Sequence, residues 1–423
     1  IFGNMQCPAK EYGNIEENGC GKMADFTPEA LDAIRQLGAT HVWYTGILEH
    51  ATRTDYSAYG IPKDHNAVVK GKAGSPYAVK DYYDVAPDLA VSVPDRMAEF
   101  EALVERTHEA GLKVLIDFVP NHVARQYHSD AKDPLEPDLG QNDDTSRAFA
   151  RDNNFYYLPG QALAFHFGAK QEDFEYSEFP AKVTGNDCFS ATPGRNDWYE
   201  TVKLNYGVDL QGGGTKYFYP VPDTWHKMLA ILRFWIARGV DGFRIDMAPG
   251  MAKDMSEPYR PMAEIPWWPL PDDGSHPLFD RDEVHDIYRR WRALLDACDP
   301  PRFAVAEAGV VASRRPAYAA SLGQAFNFQM QDADWNARSV GWAIDAGLAD
   351  EAACGSTTWV LGCHDTPRVV TRYGFDIADD VAPGGPDPDY PAGAAQRMAR
   401  RWINAEGTPG TQGEAPACDP ARG

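Results

Sequence analysis

Two hydrophobic rhythms alternate along this chain. Amphipathic stretches with helical spacing, such as "TPEALDAIRQLG" (27–38), give way to short, nearly unbroken apolar runs, such as "THVWYTGI" (40–47). The first helix carries its own punctuation. Thr27 is placed to cap it, Pro28 fits the first helical position, and Gly38 fits the stop. The pair repeats as "VPDRMAEFEALVERTHEAG" with "LKVLIDFV", as "PDTWHKMLAILRFWIARG" with "VDGFRID", and as "DEVHDIYRRWRALLDA" with "RFAVAEA". A later strand is expected at "TTWVLGC" (357–363). Strands that are apolar on both faces and alternate with helices predict a parallel sheet covered on both sides. With this many units, the expected fold class is α/β, a (β/α)8 barrel of the TIM type. An open doubly wound sheet is the alternative, but no GxGxxG follows any strand.

The rhythm breaks after the third strand. Residues 123–220 are rich in Asp, Asn, Gly, Pro and aromatics, as in "DPLEPDLGQNDD" and "NNFYYLPG". So long a stretch is not expected to be a structureless loop. It reads as an inserted subdomain, with residues 1–122 and 221–423 supplying the barrel. Residues 378–393 read as a surface loop.

Composition narrows the partners. The 423 residues are 43% hydrophobic and 24% charged, an ordinary globular balance, with no run approaching the roughly 20 apolar residues of a membrane span. A formal net charge of −22 argues against nucleic acid and against anionic membranes, and fits a neutral substrate. Seven cysteines without a CxxC make a zinc site improbable. Cys7 and Cys20 are close enough in sequence to pair in an oxidising compartment, and a secreted or periplasmic location is expected over a cytoplasmic one. Oligomeric state is not legible.

Chemistry is expected where strands end, because active sites of such barrels sit at the C-terminal rim. "LIDFVPNH" ends in Asp117, Asn121 and His122, "VDGFRID" in Arg244 and Asp246, "FAVAEA" in Glu307, and "WVLGCHD" in His364 and Asp365. Arg244 and Asp246 lie two apart on a strand and so share a face. Charges there are costly to bury unless paired. Carboxylates at one rim suit glycoside hydrolysis, in which one ionised group attacks the anomeric carbon and a protonated one donates to the leaving oxygen. Arg244 is expected to hold Asp246 ionised, and Glu307, in apolar surroundings, to be the proton donor.

The motifs "DFVPNH", "GFRIDMA", "AVAEA" and "GCHD" resemble, in order and spacing, the four short signatures of the α-amylase family of retaining glycoside hydrolases. The resemblance implies Asp246 as nucleophile, Glu307 as general acid/base and Asp365 as transition-state stabiliser. It gives His122, Arg244 and His364, beside Asp117, to substrate binding. "SPYAVKDYYDV" resembles the family's sugar-binding stretch and makes Tyr77 the stacking ring. Chemistry of this kind needs no cofactor. Asn121 matches a position that often binds calcium, and Asn14, Glu16 and Asn18 lie where another branch carries a calcium loop.

The two halves resemble different branches. "DFVPNHVARQYHSD" looks like an amylase or neopullulanase branch, and "WVLGCHDTPRVVTRYG" like the α-glucosidase branch. Ala78 stands where exo-acting α-glucosidases carry Asp, and Cys363 where the family has Asn. "GTPGTQGEAPACDPARG" lacks the apolar run of the family's last strand, which predicts imperfect closure there, and no C-terminal β domain is expected. The preferred expectation is an α-1,4-glucan hydrolase acting on starch-like or malto-oligosaccharide substrates. An exo-acting α-glucosidase or transglycosylase and a non-catalytic amylase-like binding protein are the alternatives.

Overall fold

In a computed structural model, residues 20–165, 175–207, 221–255, 270–366 and 369 are described. The chain divides into two compact units, Ile1–Glu307 with Ser321–Gly323, and Ala308–Ala320 with Gln324–Gly423.

The first unit is built on alternating helices and parallel strands. Helix α1 (Pro28–Gln36) opens as its sequence dictates: the Thr27 hydroxyl accepts from the Ala30 N–H at 3.3 Å, and Gly38 follows the helix with φ +90°. It leads into β1 (His41–Tyr44). Then come β2 (Leu48–His50) and β3 (Val79–Val85), an antiparallel pair whose register shifts on either side of Glu49. Helix α2 (Arg96–Glu109) leads into β4 (Lys113–Phe118). Strands β5 (His122–Ala124), β6 (Tyr157–Leu158), β7 (Ala181–Lys182) and β8 (Thr201–Lys203) belong to the irregular stretch that follows. Helix α3 (Asp223–Ile236) precedes β9 (Gly242–Ile245), and helix α4 (Val284–Asp296) precedes β10 (Phe303–Ala306).

Strands β1, β4, β9 and β10 lie side by side in that order, all parallel. Asp117 pairs with Arg244 in register across β4 and β9, and Arg244 with Val305 across β9 and β10. The register depends on Gly242. A Cβ there would meet the Phe303 carbonyl oxygen at 2.5 Å and a Leu115 methyl at 2.8 Å. The helices cover the sheet through large aromatics. Phe118 meets Trp291 of α4 edge-on at 5.2 Å, Phe100 of α2 meets Trp235 of α3 the same way, and Trp235 donates to the Tyr82 carbonyl at 2.8 Å. Both tryptophans are buried, so truncating either to alanine costs roughly 3–5 kcal/mol.

The stretch after β4 has its own core. Strand β5 pairs antiparallel with β8, and β6 with β7. Tyr156, Leu158, Phe165, Ala181 and Val183 form an apolar cluster beneath them. Arg125, just after β5, is buried and is satisfied by Glu178 at 2.7 Å and by the carbonyls of Tyr199 and Thr201.

In the second unit, β11 (Gln324–Ala325) and a short helix, α6 (Gln329–Asp332), follow α5 (Arg315–Leu322). Helix α7 (Ala337–Cys354) is capped by Asn336 and ends at Gly355 with φ +75°. Arg315 anchors α7 by donating to Asp350 at 2.8 Å. The strand expected at 357–363 does not form. That segment is irregular, with Trp359 and Leu361 about half exposed. A strand needs a neighbour to take its backbone groups. Here the Thr358 hydroxyl serves instead, accepting from the Asn327 N–H and donating to the Ala325 carbonyl. The atypical last strand (407–414), the 378–393 loop and the start of the chain lie outside the described residues. Cys20 carries a free thiol, and Cys7 lies outside the described residues.

Candidate active site

Arg244 is the centre of the site. It projects from β9 into a cluster of carboxylates supplied by three adjacent strand ends. One nitrogen, Nη1, bonds Asp246 and lies 3.5 Å from Asp117 Oδ1, while Nη2 lies 2.9 Å from Glu307 Oε2. Burial works against its charge, but Glu307, Asp246 and Asp117, in that order, outweigh it and raise its pKa. The guanidinium carbon also sits 5.4 Å from the Trp43 and Tyr77 rings, within cation–π range.

Asp117, at the end of β4, is fixed from the other side. The Trp43 indole and the Gly46 N–H both donate to its Oδ2 at 3.1 Å. Burial nevertheless dominates, and its pKa is pushed up to about 6. Asp246 takes its backbone position from a bond to the Phe118 carbonyl at 2.9 Å. Met247 follows in a left-handed conformation, φ +43°, uncommon for a side chain of its kind, and its N–H donates to Glu307 Oε2 at 2.9 Å. The strained turn therefore points a backbone donor at the second carboxylate.

The apolar surroundings expected for Glu307 are not what forms. Its carboxylate meets a guanidinium and a backbone N–H, and its side chain is 21% exposed. The apolar run before it is real, but it packs inside β10 and does not enclose the carboxyl.

His122 is buried and neutral. Asn121 Nδ2 donates to its Nδ1 at 2.9 Å, leaving the other ring nitrogen to donate to the Tyr77 carbonyl. Burial, reinforced by Lys203, pushes its pKa down to about 3. Asp365 and His364 belong to the second unit, 3.4 Å apart, with Asp365 more than half exposed. The structure thus brings Asp117, Arg244, Asp246, Glu307 and Tyr77 together, while Asp365 and His364 stand on the irregular 357–366 segment in place of a strand end.

The residues around Asn121 do not fit calcium. Lys203 Nζ donates to Asn121 Oδ1 and lies 3.3 Å from the Gly185 carbonyl. Lys203 and Lys253 also flank Asp187 at 3.2 and 2.7 Å. Two buried ammonium groups take the oxygens that a divalent ion would need. Residues 14–18, the other expected calcium loop, lie outside the described residues.

Sequence reasoning missed Trp43 and Gly46. Both lie at or just beyond the end of a strand read correctly as buried, so the same strand-end rule could have found them. It also missed Lys203, Lys253 and Asp187, which no local pattern distinguishes from solvated residues.

Carboxylates gathered on one guanidinium at the C-terminal ends of adjacent parallel strands define an α/β protein with its site at that end of the sheet. The chain matches the family model described as "Alpha amylase, catalytic domain" over residues 9–382, and it belongs to that family of (β/α)8-barrel glycoside hydrolases. It is 25% identical over 331 residues to an alpha-glucosidase of Culex pipiens, covering 72% of this chain and 50% of that protein. With Maltase A1 of Drosophila melanogaster the identity is 23% over 397 residues, covering 88% and 60%. The chain thus spans about half the length of the curated relatives it matches. Among solved structures, a trehalose-6-phosphate hydrolase of Bacillus licheniformis superposes with a TM-score of 0.51 at 19% identity, covering 84% of this chain and 56% of that one. The trehalulose synthase MutB of Pseudomonas mesoacidophila gives 0.52 at 18%, covering 88% and 57%. At these identities the structures speak for the fold alone.

Proposed function

We propose that this chain is a retaining glycosidase that cleaves α-glucosidic bonds in short α-glucosides and malto-oligosaccharides. The observation that carries the reading is the guanidinium of Arg244, shared between Asp246 and Glu307. Two carboxyl groups on one guanidinium are compatible with the roughly 5–5.5 Å spacing of a retaining pair. Asp246 attacks the anomeric carbon and forms a glycosyl–enzyme bond while the leaving-group oxygen takes a proton from Glu307. Water then attacks the same carbon, giving its proton back to Glu307 and freeing Asp246. Arg244 fixes Asp246 for attack. Glu307 exchanges its guanidinium contact for the glycosidic oxygen as substrate enters. Tyr77 offers a ring face to the sugar.

Short substrates are favoured over starch because the matched relatives are named alpha-glucosidase and maltase. One residue favours the longer-chain reading instead. Ala78 is buried and carries no carboxylate where exo-acting enzymes have one. Turnover of an aryl α-glucoside, maltose and maltoheptaose, with the anomeric form of the released glucose followed by NMR, tests both. The reading expects α-configured product and a higher kcat/KM on the two smaller substrates. Preference for maltoheptaose would select the glucan hydrolase, and binding of all three without turnover would select a non-catalytic binding protein.

A further inference from the structure

A second acidic cluster in the first unit is separate from the Arg244 site. It is built on β2 and β3. Glu49 stands on β2 between two irregularities of register, opposite Asp81. It is 1% exposed, and neither carboxylate oxygen has a hydrogen-bond partner. A buried carboxyl left without a partner is expensive, and native proteins rarely tolerate one unless something unseen completes it. Oxygens of Glu49, Asp84 and Asp130 all lie within 4.8 Å of one another. Asp84 is buried at the end of β3, while Asp130 is exposed and opens the cluster to solvent.

We propose that Glu49, Asp84 and Asp130 bind a calcium ion. Calcium takes about 6–8 oxygen ligands at about 2.3–2.6 Å in flexible geometry, and carboxylate oxygens lying within 4.8 Å of one another can share such an ion. Asp81 positions the third ligand. Its Oδ2 accepts from the backbone N–H groups of Asp130 and Ala131 at 3.0 and 3.3 Å, holding that loop over the cluster. Arg96 bonds both oxygens of Asp84, through Nε at 2.9 Å and through Nη2, and the second lone pair of each oxygen is what an ion would use. Lys80 bonds Asp64 at 3.1 Å and the Pro62 carbonyl.

Burial, and then the neighbouring Asp81 and Asp84, push the Glu49 pKa up to about 9, and a bound cation would offset that cost of charge. None of these residues touches the Arg244 cluster, so the inference stands apart from the proposed glycosidase activity.

The test is calorimetric titration of the full chain, freed of metal with a chelator, with calcium chloride. Thermal midpoints with and without calcium are measured alongside. The proposal expects one saturable site and a raised midpoint. Binding should weaken at least tenfold in both Glu49→Gln and Asp130→Asn. Glu49→Gln keeps the buried shape with no charge, and Asp130 is exposed, so both variants are expected to fold. The absence of calcium heat and of any midpoint shift at millimolar calcium would overturn it. So would binding retained within twofold in both variants, which would place the ion elsewhere, such as residues 14–18.

Discussion

Two buried charged clusters of the first unit have opposite balances. Around Arg244, one cation faces three carboxylates. Around Asp187, one carboxylate faces two ammonium groups, and their remaining hydrogens go to Asn121 and to the carbonyls of Gly185, Gly250 and Leu278. In the second cluster, uncharged oxygens satisfy the excess cation. It is built to be finished without a ligand. In the first, the excess is carboxylate, which cannot be relieved by further acceptors. That surplus is a reservoir for chemistry on a neutral substrate, and the price is strain at Met247 and a raised pKa at Asp117.

The largest expected effect breaks the first cluster. Asp246→Asn keeps an oxygen on Arg244 but removes the nucleophile, so kcat/KM on an aryl α-glucoside should fall on the order of 10³-fold or more. The thermal midpoint should move by only a few degrees. Retained activity would assign the attack to another residue and dissolve the functional contrast between the clusters.

Next in size is the converse. Lys253→Met removes an ammonium bonded to Asp187 at 2.7 Å and leaves Gly250 and Leu278 carbonyls unmatched. Breaking a buried pair in this way costs roughly 3–5 kcal/mol in denaturant unfolding. Activity per folded molecule should be unchanged. Should catalysis fall as steeply as in Asp246→Asn while stability holds, the second cluster is no mere scaffold.

Much of this contrast could be read from the sequence, but unevenly. The strands β1, β4, β9 and β10 were legible because apolar runs between helices have few other uses. Arg244 and Asp246 were legible because charge inside such a run is costly. Glu307 was legible as a strand-end acid, yet its surroundings were not, since the guanidinium that meets it comes from a different strand. Lys203, Lys253 and Asp187 were hidden for the same reason. Their partners are 16 and 66 residues apart, and each residue looks solvated in its own segment. The segment 357–363 misled in the other direction. Its apolar and β-branched residues satisfy strand propensity, but propensity supplies no neighbour, and the backbone stays irregular.

The smallest effect is a slope rather than a step, and it sharpens the contrast by isolating one carboxylate of the surplus. Asp117 has its pKa raised by burial from 3.8 to about 6, so the folded protein binds its proton more tightly than the unfolded chain does. The stability it contributes is complete below pH 3.8 and is lost as pH rises through about 6. Asp117→Asn cannot titrate, so its stability-against-pH curve should lack that descending component between about pH 4 and 6 while matching the wild type elsewhere in shape. Parallel curves for the two proteins across this window would mean that Asp117 ionises in the fold as readily as in water. Arg244 would then fully offset the burial, and the surplus of negative charge in the cluster would carry no cost at Asp117.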